Sequence, residues 1–362
     1  MAWRPDYPLS VHVYDLSLEQ LTARLTAWGE PAFRAKQVYA QLWKRGATYE
    51  EMTDVAPRLR ERLASELPIE VELLNERAAD KGATRKALLK LGDKGHVIEV
   101  VLMGYRDRVT VCVSSQAGCA MGCGFCATGQ MGLESNLTEG EIAAQVVWAR
   151  REAARLPDTT PQRLSNVVFM GMGEPMANYR AVRGSIDRIT DPAGIRMGAR
   201  HITVSTVGLV PGIKRLGQDH PQVGLAVSFH AADDELRDDL VPPNRLYPLA
   251  RLEAAMAAWR DRTHRRPSIE WAMIADVNDT DEQAGKLAPI AQRMGAHVNL
   301  IPLNPTPGWP SQPSSTARIE GFVRVLNAGG VNVTVRDTRG RRIDAACGQL
   351  RRDHDELTLH PV

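Results

Sequence analysis

The chain has 362 residues, enough for one large domain with an accessory domain, and its 43% hydrophobic and 24% charged content is ordinary for a globular protein. Its 45 basic and 43 acidic residues leave a formal charge of +2, which demands no polyanionic partner, and no run of 18 apolar residues supplies a membrane span. The opening Met1-Ala-Trp-Arg-Pro-Asp6 lacks the apolar stretch of a signal peptide, and five cysteines in so long a chain predict a reducing, cytoplasmic setting.

Leu18, Leu21, Leu25 and Trp28 recur at helical spacing, and Phe33, Val38, Leu42 and Trp43 follow suit. Residues 1–68 therefore read as a small helical accessory domain. Residues 69–108 change character. Leu73-Leu74, Ala87-Leu88-Leu89 and Val97–Leu102 read as short strands broken by turns at Asp80-Lys81-Gly82 and Gly92-Asp93-Lys94-Gly95, a strand-rich bridge.

From residue 109 strands alternate with helix-length segments. The predicted strands are Val109–Ser115, Asn166–Met172, His201–Thr206, Val223–Phe229, Ile269–Ala275, Val298–Leu303 and Val331–Arg336. The clearest helix, Thr138–Leu156, opens with a capping box of Thr138 and Glu141. This alternation predicts a parallel sheet buried on both faces. The fold class is α/β: an incomplete β/α barrel over residues 109–352, with the helical domain and bridge before it and a tail at 353–362. Chemistry in such barrels belongs at the C-terminal ends of the strands. Pro302–Pro313 reads as a proline-rich loop.

Three cysteines follow the first barrel strand: Cys119-Ala-Met-Gly-Cys123-Gly-Phe-Cys126. Three thiolates on one loop can hold three irons of a four-iron, four-sulfur cluster and leave the fourth iron open to a small molecule. A structural zinc site, with Cys112 or a histidine as fourth ligand, is the alternative. Zinc sites usually pair two cysteine knuckles, and there is no second knuckle here.

Other strand ends carry polar groups. Gly171-Met172-Gly173-Glu174-Pro175 ends the second strand; its glycines would let backbone approach a ligand, and Glu174 could accept from an ammonium group. Ser205 ends the third, Ser228-Phe229-His230 the fourth, and Asn304 follows Val298–Leu303. Jointly they place polar groups on the rim that carries the cysteine loop. Cys112 lies inside the first strand. Cys347 lies beside Gly348 among arginines, where a thiol tends towards the nucleophilic thiolate. Glu99 alone reads as a surface strand residue. Arginines cluster at 260, 262, 265 and 266 and again at 336, 339, 341, 342, 351 and 352; such runs are most often solvated faces.

The chain resembles the RlmN family of radical S-adenosylmethionine (SAM) enzymes, which methylate C2 of adenosine in 23S rRNA and tRNA. The likeness covers about residues 15 to 350. It rests on Val-Cys112-Val-Ser-Ser-Gln, the Cys119–Cys126 loop with Ala-Thr-Gly-Gln after it, and Asn136-Leu-Thr-Glu-Gly-Glu-Ile. It rests equally on Gly-Met-Gly-Glu174-Pro, Ser228-Phe-His230-Ala and Thr338-Arg-Gly-Arg-Arg-Ile-Asp-Ala-Ala-Cys347-Gly-Gln-Leu. Phe229 stands where the family commonly has leucine, and Glu134-Ser135 replaces a basic residue.

The resemblance implies roles. Cys119, Cys123 and Cys126 hold a [4Fe-4S] cluster with one open iron. Gly173, Glu174, Ser205, Ser228, Phe229, His230 and Asn304 contact SAM. Cys347 is the methyl carrier, Cys112 the resolving thiol and Glu99 a proton acceptor. SAM serves twice, once to methylate Cys347 and once as radical source, because C2 of adenine is too electron-poor for ordinary displacement. Cys112 then releases the product by forming a disulfide with Cys347. The implied partners are 23S rRNA and tRNA, an electron donor for the cluster and a disulfide reductant, with no membrane and a monomeric chain. A Cfr-type adenosine C8 methyltransferase and a non-catalytic, zinc-stabilised RNA-binding protein are the alternatives.

Overall fold

The computed structural model describes residues 12–306, 308–337, 340 and 343–350. Helix α1 (Leu18–Ala27) starts at Ser17, whose hydroxyl accepts from Gln20 N while the Gln20 side chain accepts from Ser17 N, a reciprocal cap. Helix α2 (Ala32–Ala40) widens into a π turn over Gln41–Arg45 and stops at Gly46, which takes the left-handed conformation. Helix α3 (Pro57–Glu66) has proline in its first turn, where no amide hydrogen is needed. Leu21, Leu25, Val38, Leu42, Trp43, Leu59 and Leu63 form this unit's own core.

The bridge forms three antiparallel strands, β1 (Val71–Ala79), β2 (Thr84–Leu91) and β3 (His96–Gly104), joined at the two predicted turns. They are longer than the sequence suggested and belong to the main sheet. Strand β3 pairs antiparallel with β4 (Val109–Cys112), setting Val101 opposite Cys112.

The chain then makes a separate hairpin, β5 (Gln116–Cys119) and β6 (Gly132–Asn136), around the short helix α4 (Ala127–Met131). No alternating pattern announces this hairpin. Its tight crossing needs Gly118, at φ 76°, since a Cβ there would run into the Gly132 carbonyl. Helix α5 (Glu139–Ala153) carries the predicted capping box: Thr138 Oγ1 accepts from Glu141 N at 3.1 Å, and Thr138 N donates to Glu141 Oε2 at 2.7 Å. Ala143, Ala144 and Val147 join the N-terminal core while Ile142, Val146 and Ala149 join the barrel core. Helix α5 is therefore apolar on opposite faces and forms the seam between the two cores.

The remaining elements alternate as expected: β7 (Asn166–Phe169), α6 (Tyr179–Thr190), β8 (Ile202–Thr206), α7 (Val210–Asp219), β9 (Gly224–Ser228), α8 (Asp234–Leu240), α9 (Leu249–Thr263), β10 (Ser268–Met273), α10 (Asp281–Met294), β11 (His297–Pro302), α11 (Thr316–Ala328) and β12 (Val333–Val335). The ten-stranded order is β1-β2-β3-β4-β7-β8-β9-β10-β11-β12, parallel from β4 onward. No pairing joins β12 to β1 among the described residues, so the barrel is open. Strands β4 and β7 end earlier than predicted. Past them Ser115 N and Gln116 N both donate to Met172 O, at 2.8 and 3.2 Å, which ties the two segments together where the rim begins. No helix among the described residues is long and apolar enough to cross a membrane.

Candidate active site

The strand ends close around a cavity of about 170 Å3. Cys119, Cys123 and Cys126 line it together with Gly173, Glu174, Ser205, Ser228, His230, Asn304 and Cys347, and Gly348 O accepts from Ala127 N beside the cysteine loop at 2.8 Å. Sequence positions 228 residues apart thus meet in one space. The three clustered thiols are inward-facing, and burial pushes Cys119 up to about 12 and raises Cys123 and Cys126 as well. Buried thiols of this kind ionise readily only where a metal centre compensates the thiolate charge. Among the described residues no three His, Cys, Asp or Glu side chains converge on a single-ion position. The thiols line a wall; they do not wrap a point.

Glu174 is 2% exposed, and its two carboxylate oxygens accept from Met176 N at 2.9 Å and Val207 N at 2.8 Å. Burial pushes it up to about 7 against the pull of these amides. A cation in the cavity, such as the ammonium group of an amino acid, would meet the charge that burial penalises. The glycines before it serve packing as well as the cavity. A Cβ on Gly171 would strike Ser114 and Val113, and one on Gly173 would strike Gln116.

His230 sits in the left-handed region at φ 59°. Its Nδ1 accepts from Ala272 N at 2.9 Å, and Asn278 Nδ2 bridges the His230 and Ala272 carbonyls at 2.7 Å each. Accepting at Nδ1 leaves the ring proton on Nε2. Burial, aided by the Arg237 charge, pulls the imidazole down to about 3, so it is neutral. Phe125 of the cysteine loop meets its ring edge-on at 4.9 Å. Asn304 Nδ2 donates to the Cys347 carbonyl at 3.1 Å, while its Oδ1 is buried without a partner, an acceptor left for a ligand.

Phe229 does not line the cavity. Its ring is wholly buried in the barrel core, its amide donates to Glu270 O at 3.0 Å, and its carbonyl accepts from Arg237 Nε at 3.0 Å. The residue is fixed behind the rim, its ring in the core and its amide and carbonyl each engaged.

Cys112 and Cys347 line a second, smaller pocket together with Met170, Asn304 and Arg336. Cys347 thus lies on the wall shared by both spaces. Burial pushes Cys112 up to about 12, with the neighbouring Cys347 adding to the rise. Glu99 is not on the surface, as its sequence context implied. It is 5% exposed and its Oε1 lies 2.7 Å from Lys86 Nζ. It lines neither space, although Met103 of the same buried strand reaches the smaller pocket.

Three charged residues of the site escaped sequence reading. Arg237 is 1% exposed and donates to four acceptors: the carbonyls of Val207, Ser228 and Phe229, and Asn244 Oδ1. It lies in an acidic stretch that reads as a solvated helix, so no signal marked it. Glu270 lines the cavity with its carboxylate held by Asn299 Nδ2 at 2.7 Å, and burial raises it. Arg336 belonged to a cluster read as solvated, yet it turns inward to line both pockets. Arg339, Arg341, Arg342, Arg351 and Arg352 lie outside the described residues.

Comparison with known proteins places this geometry. Residues 11–69 match the family profile described as the ribosomal RNA large subunit methyltransferase N-terminal domain. A probable dual-specificity RNA methyltransferase RlmN from Salinispora tropica is 51% identical, covering 94% of this chain and 92% of its own. The chain belongs to the RlmN family. An RlmN relative from Chloroflexus aurantiacus is 48% identical over 94% of this chain and 93% of its own. The crystal structure of a radical SAM methyltransferase from Sphaerobacter thermophilus superposes with a TM-score of 0.90 at 47% identity, covering 95% of this chain and 99% of that one. The incomplete barrel is therefore of the radical SAM type, and RlmN membership favours the methyltransferase over the zinc-stabilised alternative.

Proposed function

We propose that this RlmN-family protein methylates C2 of adenosine in 23S rRNA and tRNA through a methyl group carried on Cys347. The observation that carries the reading is the position of Cys347 between the cavity of the three clustered cysteines and the pocket of Cys112. Cys119, Cys123 and Cys126 would hold a [4Fe-4S] cluster, and Glu174, Ser205, Ser228, His230 and Asn304 would hold SAM beside its open iron. Bound there, cluster and SAM supply the methyl group and the one-electron chemistry that an electron-poor ring carbon requires.

The chain's own residues supply the rest. Glu174 offers the ammonium group of SAM a buried carboxylate. His230 offers a neutral Nε2–H donor, and Asn304 an acceptor beside the carrier. Cys347 Sγ takes the methyl group, and that carbon, after losing one hydrogen atom to the radical chemistry the bound cluster and SAM would supply, would bond to adenine C2 while staying attached to Cys347 Sγ. Glu99 accepts the C2 proton. Cys112 Sγ, as thiolate, attacks Cys347 Sγ; the carbon–sulfur pair goes to the base-bound carbon, which takes up a proton to become the methyl group, and a Cys112–Cys347 disulfide remains for an external thiol to reduce. The base must leave its stack to reach Cys347.

The helical unit at residues 1–68 suits the grip on RNA. Phe33 is 58% exposed with the Arg34 guanidinium 4.8 Å from its ring, and Arg24 and Arg62 lie against Trp28 at 5.9 and 4.5 Å. Aromatic and guanidinium planes of this kind stack on unpaired bases.

The direct test incubates anaerobically reconstituted protein with SAM, a reductant and rRNA or tRNA, then identifies the modified nucleoside by chromatography and mass. The expected product is 2-methyladenosine. 8-Methyladenosine would assign the chain to C8 chemistry, and stoichiometric zinc without iron or sulfide would remove the radical reading.

A further inference from the structure

Lys86 belongs to a residue type almost never fully buried unless paired. The structure buries it to 9% exposure. In the antiparallel register Lys86 sits opposite Val101 and Leu88 opposite Glu99, so Lys86 and Glu99 are diagonal neighbours on one face of the sheet. Val101 in turn sits opposite Cys112, which puts the resolving thiol on that same face.

Lys86 Nζ lies 2.7 Å from Glu99 Oε1 and 3.4 Å from the Asp344 carbonyl, three residues before Cys347. One ammonium thus touches the proposed proton acceptor and the segment that carries the methyl group. The backbone of Glu99 is fixed as well: Ser114 Oγ donates to its carbonyl at 2.7 Å, and its amide points at Met172 Sδ at 3.4 Å. The side chain is what Lys86 fixes. A carboxylate at this depth persists only beside a compensating charge.

We propose that Lys86 is the positioning residue for Glu99, holding its carboxylate on the Cys112 face and tying it to the segment that carries Cys347. The inference rests on the reading of Glu99 as proton acceptor. It gives the bridge strands a part in turnover from behind the pockets, because both residues of the pair come from them. It also separates two stages of turnover. Loading the methyl group onto Cys347 needs no base at Glu99, whereas completing transfer to adenine does.

The experiment follows both stages in the reconstituted holoenzyme with SAM and RNA. Cys347 S-methylation is read from the peptide mass, and methyladenosine from the RNA. Glu99→Gln should keep Cys347 methylation and lower RNA methylation about a hundredfold, the scale of a lost general base. Lys86→Met should show the same split, with RNA methylation down at least about tenfold, and Lys86→Arg should recover it to within about threefold of wild type. The double variant Lys86→Met/Glu99→Gln carries neither charge, which keeps the comparison available if loss of the Lys86 charge prevents Lys86→Met from folding. It should match Glu99→Gln within about twofold, as expected for residues acting as a unit. Wild-type RNA methylation by Lys86→Met beside a defective Glu99→Gln would overturn the inference and leave the Glu99 reading intact. Wild-type RNA methylation by Glu99→Gln would instead remove the proton-acceptor reading and this inference with it. Equal loss of both stages in Lys86→Met, or a further tenfold loss in the double variant, would mark Lys86 as merely structural.

Discussion

The two walls of the cavity are built differently. On the wall of β7 to β10 Glu174, His230 and the rim carbonyls are locked from behind. Arg237 holds three rim carbonyls and Asn244, Glu174 spends both oxygens on backbone amides, and Asn278 staples His230 to β10. The opposite wall, the segment around Cys347, hangs from separate single contacts. Leu350 O accepts from Thr128 Oγ1 at 2.5 Å, Gly348 O from Ala127 N at 2.8 Å, Cys347 O from Asn304 Nδ2 at 3.1 Å, and Gly340 N donates to Asp80 Oδ2 at 3.2 Å. The first wall suits a ligand that returns to one pose each turnover. The second suits a carrier whose sulfur must serve the cavity, the RNA and Cys112 in turn.

Arg237→Met tests the rigid wall most severely. It strips four buried acceptors of their donor, and the expected loss is about 3–5 kcal/mol of unfolding free energy in urea. A loss under about 1 kcal/mol would mean that the rim carbonyls find other donors.

Acid tests the same wall through His230. Its folded-state value of about 3 lies below the ordinary 6.5, so between those pH values the unfolded chain binds a proton that the folded one refuses. Stability should therefore fall as pH drops below about 6.5, by up to about 1.4 kcal/mol per pH unit from this group. His12, buried and pulled down to about 4, adds the same sign over a narrower window. His230→Asn should flatten the acid limb of a stability–pH curve. An unchanged limb would show that His230 takes up its proton in the folded state.

Thr128→Val tests the single-contact wall. One buried hydrogen bond is lost, so the expected cost is about 1 kcal/mol, with faster alkylation of Cys347 in the RNA-free protein. A cost as large as that of Arg237→Met would erase the contrast between the walls.

The parts of the site legible in the sequence were those where chemistry demands a spacing. The Cys119–Cys126 loop, the polar strand ends and the Thr138 cap all lie where they read. The reading failed where tertiary packing reverses a local signal. Arg237 and Lys86 look solvated because charge in a helix or strand usually is. Burial of Lys86 depends on the bridge joining the barrel sheet, which no local pattern shows. Glu99 sits within an apolar run that gives no hint of which face is covered. Phe229 lies in the motif but turns into the core because strand side chains alternate. The β5–β6 hairpin was invisible because its crossing rests on Gly118 rather than on alternation.

The central claim is that Cys347 carries the methyl group and Cys112 alone releases it. Denaturing gels and mass spectrometry of Cys112→Ala after incubation with SAM, reductant and RNA test it most directly. The account predicts a covalent protein–RNA adduct on Cys347, and none with Cys347→Ala or with both substitutions together. Normal turnover by Cys112→Ala, or methylated adenosine from Cys347→Ala, would contradict it.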